Sequence, residues 1–130
     1  MSQYILVVDD HFAIRLFIQR ALEESGYSVT TAASGSECLS IATSVHRPSL
    51  ILLDQSMPGM SGLQVLSRLE QDERARDIPV IMITAEEDLE PVVRRFGVRD
   101  ILNKPLDLEV LLKAIDSVFE DGAWKNAMAE

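Results

Sequence analysis

The sequence predicts an α/β domain, a doubly wound five-stranded parallel sheet with helices on both faces. Short, wholly apolar runs recur along the chain, most ending in an acid or a hydroxyl. Stretches with helical periodicity separate them. The two kinds alternate to the end of the chain, and such alternation specifies a parallel sheet, because each return to a parallel strand needs a crossover.

The elements follow in order. Ile5, Leu6, Val7 and Val8 lead into Asp9 and Asp10; a run apolar on both faces reads as a buried parallel strand. Residues 13–24 place Ile14, Ile18, Ala21 and Leu22 on one helical face. Residues 27–31 include the β-branched Val29, Thr30 and Thr31 and follow Gly26, which predicts a strand nearer an edge. Ser34 with Glu37 has capping-box spacing and starts a second helix. Leu50, Ile51, Leu52 and Leu53 form the third strand and end in Asp54. Ser61 with Gln64 repeats the capping-box spacing for a helix carrying Leu63, Leu66 and Leu69. Val80, Ile81, Met82 and Ile83 form the fourth strand, ending in Thr84. Residues 86–96 are helical with Pro91 inside; proline is tolerated only in a first turn, so that helix begins near Glu90. Asp100, Ile101 and Leu102 form a weak fifth strand. Asp107 caps the last helix, with Leu108, Leu111, Leu112, Ile115 and Phe119 as its stripe and Leu106 and Leu111 as a staple. Residues 1–120 are thus expected to be one domain, and 121–130, with Trp124, a short tail or helix extension.

Bulk composition narrows the function. The chain has 130 residues, enough for one domain that needs no covalent staple. Its one cysteine, Cys38, forms no internal disulfide, fits a reducing compartment and reads as a small buried residue. The apolar run at residues 5–8 is too short for a signal peptide or a membrane span, so the expected location is the cytoplasm. The net charge is −9. Such a surface repels phosphate backbones and anionic lipids, which argues against direct nucleic-acid or membrane binding and for a divalent cation or a basic protein surface.

The chemistry gathers at one end. In open α/β sheets the functional site lies beyond the carboxyl ends of the strands. Those ends are Asp9 and Asp10, Asp54, Thr84, and Asn103 with Lys104 and Pro105. Three crowded carboxylates repel one another unless a cation sits among them, and Mg²⁺ is the abundant hard ion that oxygen ligands hold. An ion held by few protein groups keeps positions for a phosphoryl oxygen; Lys104 and Thr84 can contact two more. These parts suit phosphoryl transfer to a carboxylate nucleophile.

The pieces Val7, Val8, Asp9, Asp10; Leu52, Leu53, Asp54; Met57, Pro58, Gly59, Met60, Ser61, Gly62; Ile83, Thr84, Ala85; and Asn103, Lys104, Pro105 resemble, in order and across nearly the whole chain, the receiver domain of response regulators in two-component signalling. The resemblance implies a flavodoxin-like sheet of order 2-1-3-4-5. It implies that Asp54 accepts a phosphoryl group from a sensor histidine kinase or a histidine phosphotransfer protein, and that the phosphorylated state acts on a downstream protein target. Mg²⁺ would be held by Asp9, Asp10, Asp54 and the main-chain carbonyl of Ser56, with Asp9 acting through water if not directly. Thr84 and Lys104 would bind the acyl phosphate. The bond before Pro105 is expected to be cis, aiming the lysine at the site. Met57, Pro58 and Gly59 would form the loop after Asp54. Such a domain catalyses only its own phosphorylation and dephosphorylation.

The sequence departs from the family in two places. Ile101 stands where members usually carry the Tyr or Phe whose inward rotation accompanies the threonine's movement, so any switching must differ. The stretch between Thr84 and Gly97 is shorter than the common pattern, which predicts a short or displaced fourth helix and a different partner surface. Ser56 and Glu86 are expected to border the approach of hydrolytic water. Two other functions compete: a receiver-fold interaction module that signals by binding alone, favoured by Ile101, and a metal-dependent phosphatase with an aspartate nucleophile. The second requires an acid two residues after the nucleophile, and Asp54, Gln55, Ser56 lacks it. Adjacent aspartates can merely cap a turn; their coincidence with Asp54, Thr84 and Lys104 at matching strand ends favours function. His11 reads as an exposed helix-start residue rather than a site residue, and the acids at 86–88 as a solvated helix start.

Overall fold

The computed structural model describes residues 3–86 and 90–120. Tail residues 121–130, with Trp124, and the acids at 87 and 88 lie outside that set. β1 (Ile5–Val8), β2 (Val29–Ala32), β3 (Leu50–Asp54), β4 (Val80–Thr84) and β5 (Asp100–Asn103) form one sheet of order β2-β1-β3-β4-β5. Every neighbouring pair is parallel. The helices are α1 (Phe12–Glu24), α2 (Gly35–Ala42), α3 (Gly62–Gln71), α4 (Glu90–Arg94) and α5 (Leu108–Glu120). None is long and apolar enough, among the described residues, to cross a membrane.

The pleat sorts the apolar strand residues into two layers, because successive side chains point to opposite faces. Leu6, Val8, Ile51, Leu53 and Met82 pack with Cys38, Val65, Leu66, Leu69 and Val93, from the α2, α3 and α4 side. Ile5, Val7, Leu50, Leu52, Ile81 and Ile83 pack with Ile18, Leu22, Leu111, Ile115 and Phe119, from the α1 and α5 side. Strands buried on both faces need apolar residues at every position, which is why these runs show no alternation.

The helix starts follow the sequence signals, with one shortfall. Ser61 and Gln64 complete a reciprocal capping box at α3. Ser34 accepts from the Glu37 N–H at 3.2 Å, the backbone half of a box. Asp107 Oδ1 accepts from the N–H groups of Glu109 and Val110. β2 begins two residues later than expected. The Tyr27 N–H is committed to Leu22 O and the Gly26 N–H to Glu23 O, the paired bonds that close a helix through a left-handed residue. Gly26 supplies that residue at φ +95°. Tyr27 instead donates its hydroxyl to Asp116 Oδ1, and its ring packs at a 44° tilt against Phe119 on α5. α4 is described from Glu90 to Arg94, and the chain beyond it passes through Gly97 at φ +69°.

Candidate functional site

Register brings the strand ends level. Val8 pairs with Leu53, Asp54 with Ile83, and Thr84 with Asn103, so Asp9, Asp54, Thr84 and Lys104 emerge at one carboxyl rim. Asp9 is 2% exposed and Asp54 and Thr84 are 1% exposed. Lys104 Nζ lies 2.6 Å from Asp54 Oδ1 and 3.9 Å from Asp9 Oδ2, so one ammonium spans two carboxylates. The Lys104 N–H donates to Thr84 O at 2.9 Å, which ties the lysine's backbone to the end of β4. The Lys104–Pro105 bond is cis, as expected.

The carboxylates are held in tension. Burial pushes the Asp54 carboxyl up from its ordinary value; Lys104 pulls it down, and Asp9 and Asp10 push it up again. Asp54 Oδ2 is a buried atom with no hydrogen-bond partner among the described residues, while Oδ1 meets only Lys104 and Asp10 Oδ1 only the His11 ring. Buried acceptors left this way are costly unless something else satisfies them. Oxygen donors gathered around unsatisfied carboxylates fit a hard divalent cation such as Mg²⁺.

The remaining predicted residues sit around this pocket. Ser56, two residues after Asp54, is exposed, and Met57 is buried in the core beneath the loop. Pro58 and Gly59 are exposed, with Gly59 at φ +80°, a conformation that favours glycine. Thr84 Oγ1 accepts from the Glu86 N–H at 2.9 Å. Ile101 is half-buried and packs on the α2, α3 and α4 side of the sheet.

Three contributors escaped the sequence reading. His11, expected to be only an exposed helix start, is indeed exposed at the N-cap of α1. Yet its Nδ1 lies 3.1 Å from Asp9 Oδ1 and 3.3 Å from Asp10 Oδ1. Arg15 Nη1 donates to Asp9 O at 2.8 Å, one helical turn beyond His11, a spacing that could have signalled it. Gln55 is buried; its backbone O accepts from the Gly62 N–H and its Oε1 from the Leu63 N–H, both at 2.9 Å, closing the loop that follows Asp54.

Comparison with known proteins agrees with this geometry. A family model described as the response regulator receiver domain matches residues 5–116. Protein PilH of Pseudomonas aeruginosa is 36% identical over 116 residues, covering 88% of this chain and 95% of PilH. The DNA-binding dual master transcriptional regulator RpaA of Synechocystis is 38% identical over 113 residues, covering 85% of this chain but only 46% of RpaA. The chain thus spans nearly all of some curated relatives and about half or less of others. The crystal structure of response regulator protein TrrA from Thermotoga maritima, in complex with Mg²⁺-BeF, superposes with a TM-score of 0.79 at 29% identity, covering 89% of this chain and 98% of that one. The chain belongs to the response regulator receiver domains, the phosphoacceptor signalling domains of two-component systems.

Proposed function

We propose that this domain is a Mg²⁺-dependent phosphorylation switch in which Asp54 is the acceptor. Its donor is the phosphohistidine of a sensor histidine kinase or a histidine phosphotransfer protein, and its output is altered binding to a downstream protein. The observation that carries the proposal is the placement of Lys104 Nζ 2.6 Å from Oδ1 of a buried Asp54 whose Oδ2 has no hydrogen-bond partner among the described residues. A buried carboxylate with one oxygen unbonded is free to act through it as a nucleophile, and the ammonium on the other oxygen is set to meet an incoming phosphoryl oxygen.

Asp9, Asp10, Asp54 and the Ser56 carbonyl would hold Mg²⁺, which supplies positive charge to the phosphoryl oxygens when bound. A relative solved with Mg²⁺-BeF supports that assignment. The Asp54 carboxylate attacks phosphorus in line with the leaving imidazole nitrogen. The O–P bond forms as the N–P bond breaks, and the electron pair goes to the imidazole. Lys104 neutralises charge on one phosphoryl oxygen. Thr84 Oγ1 already accepts the Glu86 N–H, so its own O–H remains to donate to another. Ser56 and Glu86 flank the approach of the water that later hydrolyses the acyl phosphate.

The test is intact-mass spectrometry after incubation with a small phosphodonor, with and without Mg²⁺. The native chain should gain one phosphoryl group only with Mg²⁺, and Asp54→Asn should gain none. A second reading, an interaction module that signals without phosphorylation, is favoured by Ile101, which lacks the ring of the usual switch residue. Absence of any adduct on the native chain, with rapid hydrolysis excluded by trapping, would move the assignment to that reading.

A further inference from the structure

We infer that His11 is a nitrogen ligand of the cation pocket, adding to the oxygen site a donor that favours first-row transition ions such as Co²⁺ or Zn²⁺ over Mg²⁺. The inference rests on the proposed cation site at Asp9 and Asp10 and concerns what else holds the ion there.

The first observation is where the ring points. His11 is the N-cap of α1, but its side chain makes no capping hydrogen bond. Its Nδ1 lies 3.1 Å from Asp9 Oδ1 and 3.3 Å from Asp10 Oδ1, and one donor atom from each of the three residues falls within 4.8 Å of the others. Ligands about 2.1 Å from one ion stand about 3.0 Å apart along an octahedral edge and about 3.4 Å apart along a tetrahedral one. The two separations found here lie between those values. The ring is therefore already spaced as a neighbour of two carboxylate ligands.

The second observation is independent of the first. Asp54 is 1% exposed; Lys104 Nζ engages its Oδ1, but its Oδ2 is buried with no hydrogen-bond partner among the described residues. Lys104 Nζ touches both Asp54 and Asp9, so these acceptors open on one pocket. Unsatisfied buried acceptors point to a cation rather than to a purely internal network. Mg²⁺ takes oxygen ligands and gains little from imidazole, whereas Co²⁺ and Zn²⁺ bind imidazole nitrogen well. The same ring could instead sit there as an imidazolium paired with the acids. It would then compete with every divalent ion, and its removal would tighten binding of all of them.

The experiment titrates the full chain calorimetrically with Mg²⁺ and with Co²⁺ at pH 8, where an ordinary imidazole is neutral. Proton NMR of the Co²⁺ form is read for hyperfine-shifted imidazole resonances. The native chain is compared with His11→Ala and Asp10→Asn. Because the ring does not cap α1, His11→Ala leaves the helix start intact. The expected result is a fall of about tenfold in Co²⁺ affinity in His11→Ala, within the range known for losing a supporting group at a metal site. Mg²⁺ affinity should change less than twofold, and the shifted imidazole signals of the native chain should vanish. Equal or tighter binding of both ions in His11→Ala, or no shifted imidazole signals in the native chain, overturns the inference while leaving the acid site standing if Asp10→Asn still weakens both ions. Failure of the native chain to bind either ion overturns the inference and the cation site together.

Discussion

At the scale of single residues, the site is an electrostatic conflict. Asp54 is buried among Asp9 and Asp10, and one ammonium offsets them. Burial raises the Asp54 carboxyl above its ordinary value of 3.8. A carboxyl that binds its proton more tightly when folded contributes stability that is fully present below the unfolded value. That contribution is lost as pH rises through the raised folded value. At neutral pH the charged Asp54 therefore weighs against the fold, and Asp54→Asn should be more stable than the native chain, on the order of 1 kcal/mol. Thermal unfolding from pH 3.5 to pH 7.5 checks this: the advantage of the variant should grow with pH, and a constant offset would show that ionisation is not its origin. Mg²⁺ bound as proposed would act on the same conflict. At about a hundredfold its Kd, it should add about 2.7 kcal/mol to native stability. Much of that should be absent in Asp10→Asn in the same melts.

At the scale of elements, the loop between β3 and α3 decides how rigidly Asp54 is presented. Two signals there were legible in the sequence, the capping pair Ser61 and Gln64 and the glycines of the loop. The reason for Gly62 was not. A Cβ at Gly62 would lie 2.8 Å from Asp54 O and 2.9 Å from Gln55 Cα, so the backbone carrying Asp54 leaves no room for one. Ser61→Ala should cost about 1 kcal/mol in urea unfolding through loss of the cap. Gly62→Ala should cost about 1–3 kcal/mol through overpacking and should also slow phosphorylation, because the strain falls on Asp54 itself. Equal phosphorylation rates in the two variants would separate the loop from the chemistry. α4 shows the other kind of legibility. Pro91 sits at the second described residue of α4, and Gly97 at φ +69° turns the chain after it.

At the scale of the whole molecule, two core layers hold the rim level. Leu52 faces the α1 and α5 layer and Leu53 the α2, α3 and α4 layer, each fully buried. Their backbone pairs β3 with both β1 and β4. Truncating either to Ala should cost about 2–5 kcal/mol, read as a shifted midpoint with an unchanged slope in denaturant unfolding. Both truncations should act alike despite lying on opposite faces, since β3 is the strand through which the two layers share one sheet.

The sequence by itself determined the element order, the parallel sheet and the residues at its carboxyl rim. Unbroken apolar runs, capping pairs and Pro91 are local signals, and alternation of strand and helix leaves few topologies. It also carried Asp9, Asp10, Asp54, Thr84 and Lys104, because each directly ends or follows a strand. Tertiary structure alone decided what lies between those residues. The 2.6 Å approach of Lys104 to Asp54 depends on β3 and β5 flanking β4 in register. The closing of Gln55 over Gly62 and Leu63, the turning of His11 toward the acid pair, and the diversion of Tyr27 from β2 to α5 are choices among partners. A side chain's partner is set by three-dimensional proximity, and for most of these contacts proximity arises only once the chain has folded.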